Sequence, residues 1–573
     1  MNATPISWVA TAAALTLLTA CRPADATTAA DAIYHGGTII TVNDSAPSAE
    51  ALAVKDGLIV AVGAKADVLK LQGASTTVVD LAGKTLIPGF VDAHSHFSVI
   101  GLQAIAANLL PAPDGPVNDI PALQKTLREF IATSPMVKAH RVVIGMNYDD
   151  SQLAERRHPT RQELDAVSTE MPLFVIHQSG HLGVYNSKAL ELMGINASTP
   201  NPSGGVIERE ADGKTPSGVL QENAHFGPMY KLAPKFSPAE VKAQFQAGEA
   251  SYIANGFTTA QEGKTDLATL KALPEFAASG AFKIDIVAYA DIMTMGDDPI
   301  LHGPMMSRRY TNHVRLGGVK LTFDGSPQGK TAWFTQPYLK APPGEKASYA
   351  GYPAFTDAEA LKWYTLAYQN NWQMLTHANG DAAIDQLITT VRAAQAAVPG
   401  TDRRTVLIHG QFLRNDQVSA LQELGIFPAL YPMHTFYWGD YHRESVAGPA
   451  RAANISPTGW LLAKNMMFTI QSDAPVTFPN SMRIFDSAVN RTTRSGVVLG
   501  PEHRITPLQA LKAMTLWSAY QHFEEDTKGS LEVGKRADLV ILDRNPLTVE
   551  PSTIKDIAVL ETIKDGTSIY RRR

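Results

Sequence analysis

The chain has 573 residues, of which 45% are hydrophobic and 18% are charged, and its formal net charge is −5 at pH 7. This length allows one large domain with a smaller partner, and the composition is typical of a soluble globular enzyme. The slightly acidic balance, without a long basic run, excludes a protein that binds nucleic acid through a positive surface. The three arginines at 571–573 are interpreted as a solvated tail.

The N-terminal residues are predicted to be an export signal rather than part of the fold. Residues 8–20 form an apolar run that is too short to span a bilayer and typical of a signal-peptide core. The following Leu18-Thr19-Ala20-Cys21 resembles a bacterial lipobox, which would place a lipid on Cys21 after cleavage. No Lys or Arg precedes Cys21, so a disordered or mis-started N-terminus is the alternative interpretation.

We therefore expect a signal peptide at 1–21, a small polar tether at 22–31 and a lipoprotein on the periplasmic side of a bacterial membrane. Without the lipid, the protein would be periplasmic or secreted. Cys21 is the only cysteine of the chain, so an internal disulfide is excluded. The stability of the fold must then come from its core, which this length permits.

Both ends of the folded chain carry short β-type runs. Within 32–87, the runs Ala51–Val54 and Leu58–Val62 flank Asp56-Gly57, a dipeptide typical of a hairpin turn. Similar runs return within 527–573. We expect the two ends to form one small β-sandwich.

The middle of the chain, 88–526, alternates apolar β-type runs with helical stretches. Such alternation predicts parallel β/α units, and eight of them predict a (β/α)₈ TIM barrel of the α/β class. The widest gap, about 97–255, predicts an inserted segment after the first strand. The eight runs are Leu86–Val91, Gly256–Thr259, Lys283–Tyr289, Val319–Phe323, Gln373–Thr376, Thr405–Ile408, Ile426–Leu430 and Met467–Ile470.

His94 and His96 follow the first run and form a His-x-His pair. In an extended segment, residues i and i+2 point to the same face, so both imidazoles can reach one ion, and Zn²⁺ accepts such nitrogen ligands. A pair of this kind is more often incidental when it stands alone. Its position directly after a strand favours a metal site.

Later runs carry further ligand-type residues. Lys320 lies inside the fourth run, His377 and His409 follow the fifth and sixth, and Asp473 follows the eighth. Taken singly, each histidine is more often a satisfied core residue, and a buried lysine more often pairs with a carboxylate. Together with the first pair and in barrel order, they predict a metal-dependent hydrolase.

This order of residues resembles the amidohydrolase superfamily, and in particular the branch that contains N-substituted formamide deformylases. The resemblance extends from about Ile33 to Arg571. The stretches that carry it are 88–96 (PGFVDAHSH), 179–181 (SGH), 186–190 (NSKAL), 318–320 (GVK), 324–326 (DGS), 377–381 (HANGD), 472–475 (SDAP), 529–535 (GSLEVGK) and 537–539 (ADL).

The resemblance implies a binuclear metal centre. His94 and His96 would bind the more buried ion, and His377 and His409 would bind the second. A carboxylated Lys320 would bridge the two ions, which removes the cost of a buried ammonium. The implied cofactor is two zinc ions per chain, with Mn, Co or Fe as alternatives.

The resemblance also implies the reaction. Asp473 would touch the first metal and pass a proton from the attacking water to the leaving nitrogen. The expected reaction is cleavage of a C–N amide bond in an N-acyl, N-formyl or related linear amide by metal-activated hydroxide. Hydrolysis of a cyclic amide, an ester or a deaminated ring on the same centre is the alternative, because one fold hosts many reactions.

A non-catalytic surface binding lipoprotein is the third interpretation, which the complete set of ligand positions disfavours. The expected partner is thus a small-molecule amide. Membrane association is expected only through a lipid on Cys21, and homo-oligomerisation stays open.

Two features depart from the family pattern. The family often has a Glu before the histidine of the sixth strand, whereas this chain has Ile408, so a partner for the His409 imidazole must come from elsewhere or be absent. The segment 325–334 after the fourth strand also differs from the commoner form, and barrel loops at this end line the pocket. The second departure predicts a substrate preference particular to this chain.

Three residues are predicted to contact the substrate: His181 in the insertion, His434 after the seventh strand, and Trp333. Trp333 would belong to an aromatic wall, although aromatics at such spacing are more often simple packing. Glu222 matches a family position to which no role can be assigned. The wall would consist of Trp333, Phe334, Tyr437 and Trp438.

Overall fold

The computed structural model describes residues 29–573. The predicted signal peptide, Cys21 and most of the predicted tether lie outside these residues. The end of that tether differs from the prediction, because Ala30 is buried and Asp31 forms an ion pair with Lys55 at 2.7 Å. Within the described part of the chain, no helix is long and apolar enough to cross a membrane.

Eight parallel strands form the central sheet, one for each predicted β/α unit. The segments that follow the first and eighth strands are joined by backbone hydrogen bonds: the Asp473 N–H donates to His94 O at 3.2 Å, and the His96 N–H donates to Ala474 O at 2.7 Å. These bonds close the barrel at its carboxyl end. The strands are Phe90–Val91, Phe257–Thr265, Asp285–Asp291, Val314–Thr322, Gln373–Ala378, Val406–His409, Phe427–Leu430 and Thr469–Ile470.

Helices cover the barrel strands, whose residues are buried on both faces as expected for a parallel sheet. Local sequence sets where these helices begin. At Asp357–Gln369, the Thr356 side chain accepts the N–H of Glu359 while the Glu359 carboxylate accepts the N–H of Thr356, which is a capping box. The helices after the second and later strands are Leu267–Ala278, Ile292–Met295, Asp357–Gln369, Asp381–Ala397, Asn415–Leu424, Met433–Tyr441, Gly448–Ala452, Thr458–Ala463, Ser481–Asn490, Pro507–Met514 and Leu516–Gln521.

Both ends of the chain contribute to one smaller sheet of eight strands, and its two halves share an apolar cluster. The run Leu86–Val91, predicted as one barrel strand, is divided between two sheets: Thr85–Pro88 pairs with the first C-terminal strand, and Phe90–Val91 starts the barrel. Gly89, between the two strands, allows the chain to pass close to Thr258, because a Cβ at this position would lie 2.4 Å from the Thr258 hydroxyl. The strands are Ala32–Ile40, Ser48–Lys55, Leu58–Gly63, Thr77–Asp80, Thr85–Pro88, Leu539–Leu542, Val559–Lys564 and Thr567–Arg571, with the helix Lys65–Val68 between the third and fourth.

The segment between the first two barrel strands forms a separate six-stranded sheet with its own apolar core. Two helices, Phe97–Ile105 and Pro238–Ala254, join it to the barrel and pack closely, because Gly101 has no Cβ that would meet Gln244 O at 2.2 Å. The strands are Ala107–Asn108, Val143–Tyr148, Leu173–His177, Leu182–Tyr185, Gly205–Arg209 and Pro216–Glu222. The remaining helices are Ile120–Thr133, Pro135–His140, Arg161–Asp165, Ser187–Met193 and Asn223–Leu232.

Candidate active site

The residues of the predicted metal site all lie at the carboxyl ends of the barrel strands, the end at which barrels of this kind carry their active sites. The structure therefore brings together residues that are far apart in sequence. They are His94 and His96 after the first strand, Lys320 in the fourth, His377 in the fifth, His409 at the end of the sixth and Asp473 after the eighth.

His94, His96 and Asp473 form the tightest group, with ligand atoms that all lie within 4.8 Å of one another. Asp473 Oδ1 is 3.5 Å from His94 Nε2 and 3.4 Å from His96 Nε2. This carboxylate oxygen is buried and has no hydrogen-bond partner among residues 29–573. Leaving such an oxygen unpaired is costly in free energy. The arrangement of these three residues is therefore suited to binding a ligand.

Lys320 is fully buried beside this group, and its Nζ lies 2.9 Å from His94 Nε2. Within the described chain, the amine has no carboxylate within ion-pair distance. Burial lowers the pKa of Lys320 to about 7. Much of the amine is therefore uncharged near neutral pH, which is the nucleophilic form that can react with carbon dioxide to give a carbamate.

His377 and His409 complete the site, and the ring centroid of His409 lies 5.4 Å from that of His94. The ring centroids of His377 and His409 are 4.6 Å apart, and His409 Nε2 lies 3.7 Å from Asp473 Oδ2. His377 Nε2 lies 3.0 Å from Gly325 O, which leaves Nδ1 as the free ring nitrogen. Burial holds the pKa of both imidazoles well below the ordinary value, so both are neutral and able to bind a metal.

Two glutamines orient the imidazoles, and neither was predicted from the sequence. Gln261 Oε1 lies 2.6 Å from His94 Nδ1, which fixes Nε2 as the nitrogen that faces the site. The Gln471 side-chain amide, through Nε2, lies 3.1 Å from His409 Nδ1 and is thus the partner that Ile408 cannot provide. Such partners tune ligand orientation and affinity. The only sequence signal was their position, because Gln261 lies within the second strand and Gln471 directly follows the eighth.

The backbone is also strained at this end of the barrel. His409 has φ of 73° and Asp473 has φ of 49°, values that side chains other than glycine rarely adopt. Strain of this kind costs about 1–3 kcal/mol per residue and clusters at functional sites. The strained backbone places the His409 and Asp473 side chains in the site at a cost in local stability.

A divalent metal fits this arrangement. The donor set of imidazoles, one carboxylate and an amine suits Zn²⁺ or a similar ion. An ion beside Asp473 would also satisfy the unpaired Oδ1. The residues that could hold metal are His94, His96, Lys320, His377, His409 and Asp473.

A cavity of about 150 Å³ opens over the metal-site residues. His181, predicted to contact the substrate, lines this cavity, and its ring centroid is 4.9 Å from that of His377. His181 Nδ1 lies 2.8 Å from Oε2 of Glu222, the residue to which no role could be assigned from sequence. The apolar wall comes from other residues than those predicted: Val99, Met146, Ile176, Phe226, Met229, Tyr230, Pro475 and Val476.

His434 and Trp333 do not line this cavity, contrary to the prediction. His434 is buried behind the wall, where Nδ1 lies 3.0 Å from His442 Nε2. The backbone N–H of Trp333 donates to Asp324 and its main chain packs on Gly380, so the loop is bound to the strand ends. The other predicted wall aromatics are held by packing and by hydrogen bonds away from the cavity.

A second group of ligand-type residues, Asp149, Asp150 and His177, lies in the inserted sheet. Asp149 accepts hydrogen bonds from Ser151 and Trp438, and Asp150 Oδ1 lies 3.0 Å from His177 Nε2. The two carboxylates raise the pKa of His177 to about 9, so this group is an internal ion pair rather than a free ligand set.

The barrel and its converging ligands define the class of the protein, a metal-dependent hydrolase. The model of the Amidohydrolase family matches residues 77–570. The chain therefore belongs to the amidohydrolase family, which confirms the resemblance and the expectation of an amidohydrolase enzyme.

Related proteins agree with this assignment. The chain is 26% identical over 552 residues to an N-substituted formamide deformylase from Arthrobacter pascens, covering 95% of this chain and 98% of the relative. It is 24% identical to the putative amidohydrolase YtcJ of Bacillus subtilis, covering 94% and 99%. Among solved structures, an uncharacterized metal-dependent hydrolase from Pyrococcus furiosus has a TM-score of 0.69 at 23% identity, covering 90% of this chain and 100% of that one. This last likeness supports the predicted barrel fold.

Proposed function

We propose that this enzyme hydrolyses the C–N bond of a small linear amide, in which an acyl or formyl group is carried by a substituted nitrogen. The observation that carries the proposal is the unpaired Asp473 Oδ1 beside the His94 and His96 imidazoles, in a cavity that also has an apolar wall. The name of the Arthrobacter relative, a deformylase of N-substituted formamides, points in the same direction.

We assign the metal-holding roles as follows. His94 and His96 would hold one divalent ion together with Asp473, and His377 and His409 would hold a second. When bound, the ions supply Lewis acidity, which lowers the pKa of water and polarises a carbonyl. Lys320, as a carbamate, would carry the negative charge that balances two ions, and its lowered pKa supports this chemistry. We propose zinc as the ion, with Mn, Co or Fe able to replace it.

The protein groups then move protons and orient the substrate. Asp473 accepts a proton from the attacking water and returns it to the nitrogen as the C–N bond breaks. His181 contacts the carbonyl oxygen through its free ring nitrogen. The apolar wall packs on the substituents of the amide and excludes bulk water from the reacting atoms.

The proposal is tested with purified enzyme and a panel of N-formyl and N-acyl amines, with lactams, esters and aminated heterocycles as comparison sets. We expect turnover of the linear amides, with activity lost on chelation and restored by Zn²⁺, Mn²⁺ or Co²⁺. Turnover confined to lactams, esters or ring amines would overturn the assignment to linear amides while retaining the metal centre.

We also propose that the protein is a lipoprotein on the periplasmic side of a bacterial membrane, on the basis of the lipobox-like sequence before Cys21. Cys21→Ala should move the protein from the membrane fraction to the soluble fraction without changing its activity. Continued membrane association of this variant would contradict the lipid anchor.

A further inference from the structure

Glu222 is the one charged side chain in contact with His181 among the described residues. Its Oε2 lies 2.8 Å from His181 Nδ1, and its own N–H donates to His181 O at 2.8 Å. Only 7% of Glu222 is exposed. The two residues are thus joined through both side chain and backbone at the edge of the metal cavity.

The backbone at Glu222 is held in a conformation that side chains other than glycine avoid, with φ of 50° and ψ of −123°. Gly325, after the fourth barrel strand, permits the position of the carboxylate, because a Cβ there would lie 2.2 Å from Glu222 Oε1. The strained backbone of Glu222 and the close approach of Gly325 together hold the Glu222 carboxylate against His181. Backbone strain of this kind is found mainly at functional sites, which suggests that Glu222 has a role beyond packing.

The contact decides which nitrogen of His181 is available. A carboxylate accepts a hydrogen bond, so Nδ1 carries the proton and Nε2 is the nitrogen left for the cavity. Without the carboxylate, the imidazole could exchange tautomers and rotate about its side-chain bonds. A ring 4.9 Å from the His377 ring must keep one orientation to act on a bound carbonyl.

We propose that Glu222 is a positioning residue that fixes the tautomer and orientation of His181 over the metal cavity. The inference rests on the proposed amide hydrolysis for its effect on rate, but the tautomer of His181 can be measured without any substrate. Glu222 itself need not touch the substrate.

The same sheet offers a control carboxylate. Glu208 accepts a hydrogen bond from Gln221 Nε2 at 2.6 Å, and neither residue lines the metal cavity. A change at Glu208 therefore reports the general cost of removing a carboxylate from this sheet.

The kinetic test compares Glu222→Leu, Glu222→Gln, His181→Phe and the double variant Glu222→Leu/His181→Phe, with Glu208→Leu as control. We expect Glu222→Leu to lower kcat about 10–100-fold with little change in KM and unchanged metal content, the range found for partners that orient site residues.

Glu222→Gln should recover part of this loss, because its amide oxygen still accepts from Nδ1. The double variant should be no slower than His181→Phe alone, since the two residues act as a unit. Independent, multiplicative losses, or an equal loss in Glu208→Leu, would overturn the proposal.

The second test uses ¹⁵N NMR of histidine-labelled, metal-loaded enzyme, with the His181 signal assigned by its absence in His181→Phe. We expect the Nδ1–H tautomer in the wild type and a mixture of tautomers in Glu222→Leu. An unchanged tautomer in Glu222→Leu would contradict the positioning role. Because this readout needs no turnover, it separates failure of the inference from failure of the proposed amide hydrolysis.

Discussion

Two buried polar clusters occupy opposite ends of the barrel, and each contains a buried lysine. At the carboxyl end, Lys320 lies beside His94 and has no carboxylate in ion-pair distance within the described chain. At the amino end, Lys528 Nζ donates to Asp285 Oδ2 at 2.6 Å and lies 3.0 Å from Glu524 Oε2. Burial lowers the pKa of Lys320 to about 7, whereas the carboxylates around Lys528 raise its pKa.

The amino-end cluster continues as a network of ion pairs. Lys564 contacts Asp285 and Asp538, both at 2.9 Å, and Arg315 contacts Glu524 at 2.8 Å. The Lys564–Asp285 pair connects the amino end of the barrel to the small terminal sheet, so it joins the two parts of the enzyme.

The comparison shows that burial alone does not define a functional site. At the amino end, each buried cation has a counter-ion, and the cluster contributes to the structure. At the carboxyl end, an orphaned carboxylate oxygen, neutral imidazoles and positive φ angles leave the groups dependent on a ligand. The following experiments test this difference.

The largest effect is expected at Asp473. Asp473→Asn removes the proton acceptor but keeps the volume of the side chain, so kcat should fall by about 10²–10⁴-fold, the range for general acid–base catalysis. Steady-state kinetics with a metal assay checks this, and we expect the metals to be retained. Unchanged turnover would exclude Asp473 as the base.

Matched changes of the two lysines test the comparison directly. Lys528→Met should lower the free energy of unfolding by about 3–5 kcal/mol, because it leaves buried carboxylates without their partner. Lys320→Met should change the stability of the metal-free protein by less than about 1 kcal/mol, since the uncharged amine has no ion pair to lose. Urea unfolding of both metal-free variants measures the difference, and equal losses would refute the contrast.

Removal of an orienting glutamine should have a smaller effect. Gln471→Leu deletes the hydrogen bond to His409 Nδ1 and should weaken metal affinity by about 10–100-fold while leaving the fold intact. Competition with a zinc chelator measures this affinity. An unchanged affinity would show that His409 needs no partner from the eighth strand.

The amino-end cluster should make stability dependent on acid pH. Contacts with Lys528 and Arg315 lower the pKa of Glu524 to about 2, below its value in an unfolded chain. The unfolded state therefore binds more protons between about pH 4.5 and 2, so this contribution is complete above that window and is lost as the pH falls. Urea unfolding between pH 6 and 3 should show a shallower dependence for Glu524→Gln than for the wild type; identical slopes would contradict the ion-pair role.

Much of the barrel could be predicted from sequence, because each of its strands is a short apolar run between helices. The division of Leu86–Val91 between two sheets could not be predicted, since both halves are apolar and their partner strands lie far away in sequence.

The convergence of the residues proposed to hold metal could be predicted, because barrel order determines which strand ends meet. The roles of Gln261, Gln471 and Glu222 could not, because each depends on a side-chain contact across strands or loops far apart in sequence. His434 and Trp333 were misplaced because sequence shows that a residue follows a strand but not whether its side chain enters the cavity.

The central claim, a metal-dependent hydrolase with its ions at the carboxyl end of the barrel, is tested most directly by metal analysis of the purified enzyme combined with activity. We predict close to two divalent ions per chain, loss of amide hydrolysis on their removal and recovery on their return. A folded, metal-free protein with full hydrolytic activity would contradict the account.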